Sequence, residues 1–179
     1  MRFAALLRGV NVGKARRLPM AELRALLSRM GYTDVATLLN SGNVVFSAAR
    51  CAPALHAGAI AAAVARELGV DVPVVVKSAS ELADIVAGNP FAVGAIDASR
   101  LLVAYVQDEA SLSDLAAVTR LVEPPERFVI GKKAAYLHCA NGILGSKAGE
   151  ALLGKAGTAA TTRNWSTTLK LHALASRDA

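Results

Sequence analysis

Apolar positions along this chain fall into short β-branched runs separated by stretches with helical spacing. Arg2–Arg8 is a short apolar run bounded by Gly9, and it predicts a first strand. Gly9–Leu18 is basic, holds two glycines and reads as a loop. Pro19 suits a first helical turn, where its missing N–H costs nothing. Met20, Leu23, Leu27 and Met30 then mark one helical face, which Gly31 ends. Thr33–Leu39 and Val44–Ser47 read as strands, joined by the hairpin signal Asn40, Ser41, Gly42 and Asn43. Pro53–Leu68 is an alanine-rich helix stopped by Gly69, and the β-branched run Val72–Lys77 is a strand. The order β-α-β-β-α-β is the split βαβ, or ferredoxin-like, plan.

The pattern then almost repeats. Ser78 and Glu81 have capping-box spacing for a short helix closed by Gly88, Asn89 and Pro90. Residues 88–99 read as a linker. Leu101–Val106 is a strand, and Ser111 with Asp114 opens a helix running to about Leu121. Arg127–Ile130 and Ala134–His138 form a hairpin around Gly131, Lys132 and Lys133. A helix near Lys147–Leu153, a short strand over Gly157–Thr162 and a last helix over Asn164–Ala175 complete the chain. The expected fold class is α+β, with two ferredoxin-like units and an added C-terminal helix. Unit one spans 1–77, a helix and linker 78–99, and unit two 100–179. Ala4–Leu7, Val44–Phe46 and Val74–Val76 are apolar at successive positions, so both faces of the first sheet should be buried. The second face would be covered by the other half of the chain or by another subunit.

Composition narrows the class. Hydrophobic residues make up 54% of the 179 positions and charged residues 19%, which excludes a disordered chain. The formal charge is +6, and all of that excess lies in the first 50 residues, with eight cations against two acids. Its densest part, Arg8 to Arg17, has four cations and no carboxylate, and such a cluster favours an anionic partner. Cys51 and Cys139 make no disulfide framework and read as small buried thiols. The N-terminus lacks the long apolar core of a signal peptide, and no apolar run is long enough for a membrane span. A soluble cytoplasmic protein is expected.

Several chemistries are excluded by their missing parts. Gly9 to Gly13 with Lys14 resembles a phosphate loop, but only three residues separate the glycines and Ala15 stands where Ser or Thr would hold magnesium. No dinucleotide fingerprint, nucleophile elbow or zinc spacing occurs, and His56, His138 and His172 read as isolated structural residues. Only two carboxylates, Glu22 and Asp34, occur in the first 50 residues, which argues against a paired-acid mechanism there. No cofactor is indicated.

Three segments remain. Arg8, Asn11 and Lys14 lie in the glycine-containing loop after the first strand, where cations and exposed backbone N–H groups suit an oxyanion. Ser41, Gly42 and Asn43 lie in the hairpin turn, whose amides exceed what a turn requires. Arg163, Asn164 and Trp165 lie at a helix start capped by Thr161 or Thr162, itself an anion site. Trp165, Leu169 and His172 share one helical face, as a core anchor would.

These segments resemble the bacterial domain-of-unknown-function 1697 family. The likeness runs from Phe3-Ala-Ala-Leu-Leu-Arg-Gly-Val-Asn-Val-Gly13, through Pro19-Met20-Ala-Glu-Leu23, Ser41-Gly42-Asn43-Val-Val-Phe46 and Asn89-Pro90-Phe91, to Thr161-Thr162-Arg163-Asn164-Trp165 and Lys170-Leu171. It implies two ferredoxin-like units and no activity. Family members often carry a second glycine after the Gly13 position, where this chain has Lys14-Ala15-Arg16-Arg17. The expected function is binding of an anionic ligand, a phosphorylated small molecule or nucleic acid, where the three segments converge on one basic cleft. The alternatives are an enzyme acting on a small anionic substrate, and a structural homodimer.

Overall fold

Short β-branched and aromatic runs pair here because each strand buries alternate side chains on opposite sides of a sheet. The computed structural model describes residues 1–12, 17–92 and 96–177. Two compact units result: Met1–Leu82 with Leu171–Ala179, and Ala83–Lys170. The fold is mixed α+β with two four-stranded antiparallel sheets. No helix among the described residues is long and apolar enough to cross a membrane.

Unit one contains β1 (Arg2–Leu7), α1 (Met20–Arg29), β2 (Thr33–Leu38), β3 (Asn43–Ser47), α2 (Pro53–Leu68) and β4 (Val74–Ser78). Its sheet has the order β2-β3-β1-β4. Phe3, Ala5 and Leu7 of β1, Val44 and Phe46 of β3 and Val76 of β4 share a core with Leu23, Leu26 and Leu27 of α1 and Ile60 and Val64 of α2. The opposite face is not bare, since Ala4, Leu6 and Val45 are buried too. β1 pairs on both sides, with β3 from Arg2↔Ser47 to Leu6↔Asn43 and with β4 from Phe3↔Ser78 to Leu7↔Val74. α2 ends as the glycine predicts, with Gly69 in the left-handed region at φ 66°.

α3 (Ala79–Ala87) starts with the reciprocal bonds of a capping box. The Ser78 N–H donates to Glu81 Oε2 at 2.8 Å, and the Glu81 N–H donates to Ser78 Oγ at 3.2 Å. In unit two follow β5 (Leu101–Val106), a 3-10 helix over Glu109–Leu121, β6 (Arg127–Ile130), β7 (Ala134–His138), α4 (Lys147–Leu153) and β8 (Ala160–Asn164). α5 (Trp165–Ala175) ends the described helices. The second sheet has the order β6-β7-β5-β8.

Three local readings need correction. The segment expected to be a helix opened by Ser111 is a 3-10 helix capped one turn earlier, where Asp108 Oδ1 accepts from the Ser111 N–H at 3.0 Å. Leu112, Leu115 and Val118 are its buried residues, and their spacing of three fits the 3-10 repeat. The last strand extends to Asn164, so neither Thr161 nor Thr162 caps α5. Asn164 does, with its Oδ1 accepting from the Thr167 N–H at 2.9 Å.

In unit two Leu102, Ala104, Ala135 and Leu137 face the core that includes Leu115 and Leu152. On the other face Tyr105 donates its hydroxyl to Thr168 Oγ1 of α5 at 2.7 Å, and Tyr136 donates to the Ile85 carbonyl of α3 at 2.6 Å. Both rings are fully buried, and burial pushes both phenols above their ordinary pKa.

Two glycines test this packing in opposite directions. A methyl group at Gly157 would be driven into the Leu152 backbone, whereas one at Gly58 in α2 would meet open space. Gly157→Ala should therefore cost about 1–3 kcal/mol, as overpacking elsewhere does. Gly58→Ala should gain about 0.5–1 kcal/mol from helix propensity. Urea unfolding of the two variants checks both signs.

Candidate functional site

The first two segments singled out above meet in unit one. β1 ends at Leu7, whose N–H donates to the Gly42 carbonyl at 2.8 Å, and the next N–H, of Arg8, donates to the Pro73 carbonyl at 2.9 Å. The chain is thus held from both sides as it leaves the sheet. Gly42 sits at φ 72°, a conformation that a side chain disfavours. A Cβ there would lie 2.5 Å from Val10 Cγ2 and 2.8 Å from Leu7 Cβ. The turn approaches the loop this closely only because position 42 has no side chain.

Asn11 closes the loop from within. Its Nδ2 donates to the Leu18 carbonyl at 2.8 Å and to the Asn40 carbonyl at 2.7 Å, and its Oδ1 accepts from the Leu18 N–H at 2.8 Å. Both amide hydrogens are thereby committed to backbone. The residue adopts φ 56°, which Asn tolerates better than most side chains. Asn43, wholly buried, donates to the Leu38 carbonyl at 3.0 Å and to Ser41 Oγ at 2.9 Å, bracing the hairpin.

Between loop and turn lies a hollow of about 430 Å³ lined by Asn11, Arg17, Leu18, Pro19, Met20 and Asn40. Arg17 and Asn40 are exposed. The N-terminus of α1 opens here, because Pro19 occupies the cap position and makes no side-chain cap bond. No carboxylate is among the described lining residues, although Glu22 stands in the first turn of α1. A smaller hollow of about 120 Å³ in unit two has the opposite character, with Glu123 and Glu126 beside Lys147.

The expected site residues divide accordingly. Arg8, Asn11, Ser41, Gly42 and Asn43 lie in unit one, and Lys14 falls outside the described residues. Arg163, Asn164 and Trp165 lie in unit two. Arg17 and Asn40 line the hollow, whereas the sequence marks them only as members of the basic run and of the turn.

Arg163 lies on β8 opposite Val103 and is buried. Its Nη1 donates to Thr161 Oγ1 at 3.0 Å and to the Thr162 carbonyl at 2.7 Å. Burial pushes its pKa down to about 10, with the nearby Tyr105 opposing, so it remains charged at neutral pH. Asn164 is the helix cap already described. Trp165 is half-buried and Leu169 exposed, so their helical face is not the core face expected. Thr167, Thr168, Leu171 and Ala175 are the buried residues of α5.

Two further expectations are overturned. His56 is not isolated: it lies 3.0 Å from the Cys51 sulfur and 3.0 Å from the Tyr32 hydroxyl. Cys51 is half-buried, not enclosed, whereas Cys139 is buried as expected. Sequence spacing gives no hint of the contact with Tyr32, which lies 24 residues from His56.

The fold and this hollow define an α+β protein whose first strand runs into a loop latched to a neighbouring hairpin. The chain belongs to the family described as "Protein of unknown function (DUF1697)", whose model matches residues 1–136. It is similar to the conserved bacterial protein SP0830 from Streptococcus pneumoniae, at 22% identity over 97% of this chain and 98% of that chain, with a TM-score of 0.81. At that identity the likeness establishes the fold alone. No curated protein matches the chain.

If Asn11 is the latch, its removal should be costly. Asn11→Ala should lose about 1–3 kcal/mol for the broken bonds and about 1 kcal/mol more for placing an ordinary side chain in the left-handed region. Asn11→Gly should lose only the first part. Chemical denaturation of the two variants measures the gap.

Proposed function

We propose that this protein binds a phosphorylated small molecule in the hollow of unit one. The observation that carries the reading is the lining: Arg17 and Asn40 flank the uncapped start of α1, with no carboxylate among the described lining residues. A guanidinium supplies paired donors to phosphate oxygens, and a helix N-terminus adds oriented N–H groups and a favourable dipole. A volume of about 430 Å³ suits a small ligand. Arg8, Lys14, Ser41, Gly42 and Asn43 belong to the same proposal as shaping or contacting residues. Arg163, Asn164 and Trp165 are the corresponding candidates in unit two.

The same reading takes both units as ferredoxin-like. The element order β1-α1-β2-β3-α2-β4 and the matching sheet orders β2-β3-β1-β4 and β6-β7-β5-β8 support it.

The binding reading is favoured over catalysis because no imidazole or carboxylate is among the described lining residues to move a proton. Nucleic acid is the second anionic candidate, supported by the +6 charge concentrated in the first 50 residues. Phosphate-dominated binding of that kind weakens steeply with added salt.

A thermal-shift screen of phosphorylated metabolites, followed by calorimetry on the best compound, tests the proposal. At least one such compound should raise the melting temperature, and Arg17→Gln should weaken its binding by about tenfold or more, as expected for a lost charge-assisted contact. No stabilising phosphorylated compound, or an affinity indifferent to Arg17→Gln, would contradict it.

A further inference from the structure

A separate cluster lies where β3 runs into α2. Cys51 stands just ahead of α2, and His56 lies one turn inside that helix. The Cys51 sulfur is 3.0 Å from His56 Nε2, and the Tyr32 hydroxyl is 3.0 Å from His56 Nδ1. The imidazole is 7% exposed and wedged between aromatic rings, 4.6 Å from Phe3 and 5.6 Å from Phe46 by centroids. Such packing fixes the ring plane, so both nitrogens stay aimed at their partners. The thiol, by contrast, is partly open to solvent.

We propose that Cys51 is a covalent modification site for small-molecule disulfides, with His56 as its proton relay and Tyr32 as the residue that positions the imidazole. The arrangement is that of an assisted nucleophile: thiol, base, and a third group orienting the base. For Nε2 to take the thiol proton, Nδ1 must carry the other hydrogen and donate it to the Tyr32 oxygen. The phenol oxygen accepts that bond both before and after the transfer. Burial holds the His56 pKa below its ordinary value, which favours the neutral ring that accepts a proton.

The step balances without any further reagent. Cys51 passes its proton to His56 Nε2, and the sulfur attacks one sulfur of the disulfide. The disulfide bond breaks, and the leaving thiolate takes the proton from the imidazolium. The products are a mixed disulfide on Cys51 and one free small thiol, and His56 is neutral again.

The test uses the full chain carrying Cys139→Ser, so that Cys51 is the single thiol, and uncharged dipyridyl disulfide as the probe. At pH 7 its second-order rate should exceed that of glutathione by about tenfold or more, as general-base assistance implies. His56→Asn should bring the rate down to the glutathione value or below. Tyr32→Phe keeps the ring packing and loses only the phenol oxygen, so it covers the case in which His56→Asn does not fold. It should slow the reaction severalfold while leaving the melting temperature nearly unchanged. A parent rate no faster than glutathione, or a Tyr32→Phe rate equal to the parent's, would overturn the proposal.

Discussion

The close approach of Gly42 to Leu7 and Val10 is the constraint on which the rest of unit one depends. A backbone hydrogen bond of 2.8 Å holds the turn against the end of the central strand, and no side chain fits between them. Because the turn is fixed there, Asn40 sits within reach of Asn11, and Asn11 in turn holds Leu18. Leu18 is buried and Pro19 follows it, so the start of α1 is fixed too. A sequence of short-range contacts thus runs from one glycine to the mouth of the hollow.

This order also explains why several polar residues look functional in the sequence. Asn11 and Asn43 are amides in loops, and amides in loops are good ligands for anions. Here their bonds go to carbonyls of the protein and to Ser41, so they shape the site. The groups left facing the hollow are the exposed Arg17, Asn40 and the first turn of α1. Unit two shows a related division. Arg163 is spent on Thr161 and Thr162, and Asn164 on capping α5.

Much of the fold was legible because the relevant signals are local. Pro53–Leu68, Leu101–Val106, Arg127–Ile130, Ala134–His138 and Lys147–Leu153 have the predicted bounds, set by β-branched runs, glycines and prolines. The capping box of Ser78 and Glu81 forms as spaced. The 3-10 character of Glu109–Leu121 was present in the three-residue spacing of Leu112, Leu115 and Val118, but a period of three is easily taken for one of 3.6. Contacts between distant segments were not legible. Tyr32 reaches His56 only because α1 delivers the chain to β2 beside the start of α2. Likewise Asn40 joins the hollow through a hairpin whose register follows from burial. In both cases the chemistry depends on tertiary pairing that no spacing encodes.

In the proposed reading a latched loop, an arginine and a helix start make one anion site in unit one. Amide-resolved nuclear magnetic resonance during titration with inorganic pyrophosphate tests it most directly. Saturable shifts confined to Asn11, Arg17, Leu18, Met20, Asn40 and their immediate neighbours are expected. Saturable shifts centred on another part of the chain, or no shift at low salt, would contradict it.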